Sequence, residues 1–281
     1  VSSRLRTYAE QNRSIVVAGG YTAADGTRVP IAEALAAAVA GTRCVAPDEP
    51  LTVRGGGGGG GGGEATTAFE VTDEGSLTAA RRLVGTGGGR VAVLNFASAR
   101  NVGGGYLGGA RAQEEDLCRH ALLYPCLRQA PEYYEAHRVS DDLLYSDRVI
   151  WSPDVPVHRG EGGELLARPF PVSFLTCPAP NAGALLRREP DAGPRIREAL
   201  TRRSGRVLGA AAQEGARQLV LGAWGCGVFR NDPREVAEAF AVWLAPGGDY
   251  AGAFERVVFA VWDRAEPSAN RNAFAEVLGG R

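Results

Sequence analysis

The chain has 281 residues, 44% hydrophobic and 22% charged, with a formal net charge of −1. Such a balance fits a globular protein and argues against DNA binding through a broad basic face, because each phosphate contact needs a cation to displace counterions. The longest apolar stretch, residues 34–40, is far short of the roughly 20 needed to cross a bilayer, no secretory leader pattern opens the chain, and the five cysteines include no C-x-x-C pair. The expectation is no membrane association, no disulfide framework and a cytoplasmic protein.

In chain order, residues 2–11 and 30–40 are predicted as two short helices, the second with Ile31, Leu35, Ala38 and Val39 at helical spacing. They form an N-terminal helical extension, residues 1–54. Nine consecutive glycines, 55–63, cannot bury a side chain and read as a linker or loop. The rest, 64–281, alternates between strand and helix. Strands are predicted at 67–72, 90–97, 146–151, 172–177, 218–223 and 256–262, and helices at 75–83, 193–214, 233–244 and 266–277. Residues 113–137 read as two helices, broken at Pro125 and Pro131 because proline lacks the amide of a helix interior. Near-continuous apolar strands alternating with helices imply an α/β fold, a mixed sheet covered on both faces in three α/β/α layers.

Two glycine-rich turns follow predicted core strands, at the carboxyl ends where open α/β sheets bind ligands. The first holds Asn101, Val102 and then Gly103, Gly104 and Gly105, whose backbone can adopt positive φ and turn its amides toward an anion. A sharp strand-to-helix turn accounts for it equally well. Gly103, Gly105 and Gly108 also spell a dinucleotide fingerprint, but the third glycine falls outside any convincing helix. Seven residues on, Gln113, Glu114, Glu115 and Asp116 open a helix. Carboxylates suit a first helical turn through the macrodipole, yet beside an anion-cradling loop they suggest a ligand with hydroxyls and a scissile bond. In the second turn Gly225 and Gly227 free the backbone around Cys226 and Val228, Phe229 offers a face for a sugar or base, and Asp232-Pro233 is an N-cap followed by proline at N1. Cys226 has no activating neighbour and reads as a small buried residue. The three histidines lack metal-ligand spacing, and no metal or other cofactor is expected.

The triple glycine, the seven-residue interval and Gln113-Glu114-Glu115 resemble the signature of poly(ADP-ribose) glycohydrolases, and the stretches 94–101 and 225–232 resemble their bacterial branch. Val102 stands where a proline is expected, and the polyglycine run lies in a region that varies among relatives. The resemblance implies a macrodomain-like fold, ADP-ribose in a cleft, and hydrolysis of ribose–ribose O-glycosidic bonds from the chain end. It implies Glu115 as general acid/base, its pKa raised by burial and by Glu114 and Asp116. Glu114 would bind ribose hydroxyls with support from Gln113, and Asn101 would add a ribose contact. Gly103, Gly104 and Gly105 would line the scissile ribose and diphosphate, and Gly225 through Phe229 the second diphosphate loop, with Phe229 on the distal ribose. The implied partners are poly(ADP-ribose), its product ADP-ribose and poly(ADP-ribosyl)ated proteins. A macrodomain that binds ADP-ribose without cleaving it, and a hydrolase of single ADP-ribose units, are the alternatives; the acidic cluster favours the enzyme that degrades polymer.

Overall fold

The structure is a computed structural model that describes residues 3–51 and 66–279. The expected polyglycine linker, 55–63, lies outside the described residues. The N-terminal segment contributes helix α1 (Ser3–Ala18), the hairpin β1 (Gly20–Thr22) and β2 (Arg28–Pro30), helix α2 (Ala32–Gly41) and strand β3 (Arg43–Val45). After the glycines come β4 (Ala68–Thr72), α3 (Ser76–Gly85), β5 (Val91–Phe96) and α4 (Gln113–His120). Two further helices, α5 (Leu123–Leu127) and α6 (Pro131–Arg138), precede the long strands β6 (Val149–Arg159) and β7 (Leu165–Cys177). The chain ends with α7 (Ala182–Arg188), α8 (Gly193–Gln213), β8 (Gln218–Leu221), α9 (Pro233–Leu244), β9 (Arg256–Ala260) and α10 (Ala269–Leu278).

Seven strands form one mixed sheet in the order β3-β6-β7-β5-β8-β9-β4. Pairing is parallel from β7 through β5, β8 and β9 to β4, and antiparallel at β6–β7 and β3–β6. Side chains alternate across the sheet, as the strand period of two requires. In β5, Ala92 and Leu94 enter one core with the apolar faces of α7 to α10, while Val91 and Val93 enter a second core with α1 to α6. The sheet is thus the middle of three layers, as the strand–helix alternation predicts.

Several details differ from the sequence reading, which includes neither the β1–β2 hairpin nor α7. Residues 113–137 form three helices rather than two. Pro125 is the third residue of α5, in a first turn where no intrahelical N–H is needed; the first break falls instead at Ala121 and Leu122, whose N–H donates to the Pro156 carbonyl, and the second at residues 128–130, so that Pro131 opens α6. The first helix runs seven residues past its expected end at Gln11, to Ala18. Lastly β3, inside the segment expected to be helical, joins the main sheet, with Cys44 opposite Ile150.

Candidate active site

Gln113, Glu114 and Glu115 are the first turn of α4, and each carboxamide or carboxylate is spent on a different neighbour. Gln113 continues the sheet: its Oε1 accepts the Phe96 N–H at 2.8 Å and its Nε2 donates to the Leu94 carbonyl at 2.8 Å and to Ser76 Oγ at 3.1 Å. The carboxyl end of β5 is thereby sutured to the start of α4. Glu114 is 2% exposed; it accepts from Asn95 Nδ2 at 3.2 Å and from the Ser98 N–H at 2.7 Å. Burial pushes its carboxyl up to about 8, with the neighbouring Glu115 charge adding to the effect and the two hydrogen bonds opposing it.

Glu115 compensates for an N-cap, Ala112, that has no side-chain oxygen: its Oε2 accepts the Ala112 N–H at 3.0 Å. Its Oε1 accepts the Gly105 N–H at 2.7 Å, which fastens the glycine turn to the helix. Gly104 sits between the two carboxylates at φ +59°, and a Cβ there would lie 2.4 Å from Glu115 Oε1 and 2.9 Å from Glu114 Oε2. Gly103, at φ +63°, likewise lies against the Tyr124 ring. Asn101 is exposed on the same turn; its N–H donates to Ser98 Oγ and its carbonyl accepts from Gly104. Asp116, expected to crowd Glu115, points elsewhere: its side chain is 54% exposed and 3.5 Å from both Arg119 Nη2 and His120 Nδ1. The buried acidic group is a pair, not a trio, and the carboxyl held above its ordinary range is that of Glu114.

The second turn leaves the end of β8, the strand hydrogen-bonded beside β5, so both glycine turns emerge at one edge of the sheet. Trp224 is buried and donates its indole N–H to the Cys177 carbonyl. Gly225, at φ +71°, packs so closely that a Cβ would lie 2.4 Å from Ala179 Cβ. Asn231 ties the loop down, its Nδ2 donating to the carbonyls of Pro180 at 2.8 Å and Gly225 at 3.1 Å. Cys226 is half-buried and burial pushes its thiol up to about 12, far from a nucleophile at neutral pH. Gly227 and Val228 are exposed, while Phe229 is half-buried with its ring 5.9 Å from that of Tyr145.

A cleft of about 830 Å³ opens along this edge, bordered by Phe96, Gln113, Cys226 and Gly227 and, at its far end, by Tyr8 and Arg159. Its size is in the range of small-molecule sites. Glu114 and Glu115 do not line it; they lie at its margin with the glycine turn against them. Among the described residues no group of three or more His, Cys, Asp or Glu is placed to hold a metal ion. The sequence reading missed Asn95, Ser98 and Asn231. Asn95 leaves a signal, as the one polar residue of Val91–Phe96.

The family model for the catalytic domain of microbial-type poly(ADP-ribose) glycohydrolase (PARG) matches residues 9–160. No curated protein sequence matches. The chain is similar to the crystal structure of the poly(ADP-ribose) glycohydrolase of Thermomonospora curvata, with 48% identity, coverage of 99% of this chain and 100% of that chain, and a TM-score of 0.91. The same enzyme bound to the inhibitor ADP-HPD gives 47% identity, 98% and 99% coverage and a TM-score of 0.90. The Deinococcus radiodurans enzyme in complex with ADP-ribose gives 44% identity, 88% and 97% coverage and a TM-score of 0.78. A family model that spans more than half of the chain, and solved relatives that match nearly all of it, place this chain in the microbial-type poly(ADP-ribose) glycohydrolase family.

Proposed function

We propose that the chain hydrolyses the ribose–ribose O-glycosidic bonds of poly(ADP-ribose) from the chain end, releasing ADP-ribose, in the cytoplasm of a bacterium and on poly(ADP-ribosyl)ated proteins. The observation that carries this reading is the Glu114–Glu115 pair, both buried, held by Asn95, Ser98, Gly105 and Ala112 beside a cleft at the carboxyl ends of β5 and β8. Cleavage through an oxocarbenium-like transition state needs an acid at the departing ribose oxygen and then a base for the attacking water. Two adjacent buried carboxylates resist ionising together, so the pair retains one proton at neutral pH. Each Glu115 oxygen accepts one N–H and keeps a second lone pair. By its place in the family signature, Glu115 is assigned delivery of the proton to the leaving oxygen and its recovery from water, and Glu114 the ribose hydroxyls. The turn of Gly103 to Gly105 lines the scissile ribose and diphosphate, its Gly104 and Gly105 N–H groups being committed to Asn101 and Glu115; Gly225 to Phe229 form the second diphosphate loop, Asn101 offers a ribose contact, and the Phe229 ring packs on the distal ribose. Residues 64–281 are the catalytic unit and 1–54 the extension that restricts entry to chain ends.

The test is incubation of wild type and Glu115→Gln with defined polymer and, in parallel, with mono-ADP-ribosylated protein, together with ADP-ribose affinity. Wild type releases ADP-ribose from polymer, while Glu115→Gln binds ADP-ribose and turns over about 10²–10⁴-fold more slowly. Binding without turnover by wild type would make the chain an ADP-ribose reader, and turnover of the mono-modified protein alone would assign it to the other hydrolase class.

A further inference from the structure

Helix α1 carries one buried amide, Asn12, 4% exposed, whose partners all lie outside the helix. Its two Nδ2 hydrogens are shared among three acceptors, Tyr106 Oη at 3.0 Å and the carbonyls of Cys118 and Arg119, each at 3.1 Å. Its Oδ1 accepts from His158 Nε2 at 2.8 Å and from Arg159 Nη2 at 3.0 Å. Carbonyls only accept and a guanidinium only donates, so the amide has a single orientation. Burial holds His158 well below its ordinary range, at about 3, with the Arg159 charge adding to that, so the ring is neutral and carries its hydrogen on Nε2. The Arg159 guanidinium in turn stacks on Tyr8, 4.6 Å from the ring centre, and donates to the Arg119 carbonyl at 3.3 Å.

The partners on the nitrogen side define what this amide does. Cys118 and Arg119 are in the last turn of α4, where a helix has carbonyls left over and no N–H of its own to meet them. Asn12 supplies that cap from another element. Tyr106 opens the short 3₁₀ turn directly after Gly105, the residue whose N–H holds Glu115. One side chain thus grips both bodies that meet at Glu115: the helix that bears it and the turn that hydrogen-bonds to it. With only eight residues, α4 has little stability of its own and takes its position from its two ends, Gln113 on β5 and Asn12 on α1.

We propose that Asn12 is a positioning residue for glycosidic cleavage, setting Glu115 against the glycine turn through α4 and Tyr106. The proposal rests on the poly(ADP-ribose) glycohydrolase reading. A shift of about 1 Å in a reacting group costs on the order of 10²-fold in rate, so Asn12→Ala is expected to lower kcat by about 10- to 100-fold. Binding measured by titration with ADP-ribose should stay at one site per chain, with Kd within about threefold of wild type, which a merely unfolded fraction would not give. Asn12→Asp keeps the acceptor for His158 and Arg159 and loses the donor, so it should fall as far as Asn12→Ala. Tyr106→Phe removes one hydroxyl from the same network and should lose several-fold in kcat, less than additively when combined with Asn12→Ala. Wild-type kcat in Asn12→Ala, or turnover falling only in proportion to the number of binding sites, would overturn the proposal. If the Asn12 variants do not fold, wild-type kcat in Tyr106→Phe overturns it instead. Failure of wild type itself to cleave polymer would sink the underlying reading, a different result from an active enzyme indifferent to these substitutions.

Discussion

A single methyl group at Gly104 would have to occupy the space of Glu115 Oε1, 2.4 Å away, on a backbone whose φ of +59° already disfavours any side chain. Gly104→Ala should therefore displace the turn and reduce polymer turnover by at least about tenfold, read as kcat on defined polymer. Glu114 makes a second prediction at this scale. Its carboxyl titrates near 8 in the folded protein against an ordinary 4.5, so between these values the native state binds the proton that the unfolded state has released. The stabilisation from that proton is complete below about 4.5 and is lost as pH rises toward 8. Urea unfolding at pH 7 and pH 8.5, above the range in which the buried His137 and His158 make stability rise with pH, checks the sign: Glu114→Gln should flatten the decline, and an unchanged slope would refute it. These residues also mark the limit of the sequence. Gln113, Glu114 and Glu115 announce themselves by their spacing from the triple glycine, but which carboxylate bears the desolvation depends on Asn95 and Ser98, and on a helix rotation that turns Asp116 outward. No local pattern encodes that.

At the scale of elements, α4 joins the sheet through the Gln113 side chain, which stands in for a strand neighbour at the Phe96 N–H and Leu94 carbonyl. Gln113→Ala leaves both backbone groups without that partner and should cost about 1–3 kcal/mol in urea unfolding, with kcat reduced as well. Asp147 anchors the segment of Tyr145, whose ring lies 5.9 Å from that of Phe229, in a comparable way. It pairs at 2.9 Å with Arg203, a guanidinium with no exposure that also donates to the carbonyls of Pro178 and Leu144. Burial pushes the Asp147 carboxyl up, but the hydrogen bond from Arg202 and the charge of Arg203 outweigh it and hold it below its usual range. Asp147→Asn leaves the buried cation unbalanced and should destabilise by about 3–5 kcal/mol, measured by the same denaturation. Most elements were legible from periodicity: α9 matches its predicted span, residues 233–244, and β5 differs by one residue at each end. The break expected at Pro131 is there, just before it, while the one expected at Pro125 is not. Proline breaks a helix only where its missing N–H would have been used, and a first turn does not use it.

Across the whole molecule, the two cores on opposite faces of the sheet draw on different parts of the chain. Ile15, Tyr21, Val29, Ile31, Leu35 and Ala38 of the N-terminal segment are buried with Leu83, Val93 and Phe174, and β3 pairs with β6. Despite the intervening glycines, unfolding should be a single cooperative transition, with tryptophan fluorescence and far-ultraviolet dichroism giving the same midpoint. A chain beginning at residue 66 should not reach the stability of the full length. The sequence predicts the alternation that makes three layers, but strand order is set by pairings between distant segments, and β3, three residues long, is too short to show a period.

The position of β4 has a consequence for biosynthesis. As the first strand made after the glycines, it has one neighbour in the sheet, β9, the last strand of the chain. An emerging polypeptide can assemble β5, β6 and β7 early, yet β4 must wait for its partner until residues 256–260 have left the ribosome. Contacts of such long sequence separation make folding slow and leave strand edges open in the interim. The closing register, Ala68 to Arg256 through Thr72 to Ala260, is thus a completion signal: truncated products that stop short of β9 cannot finish the sheet, and would present an unsealed edge to the quality-control machinery of the cell.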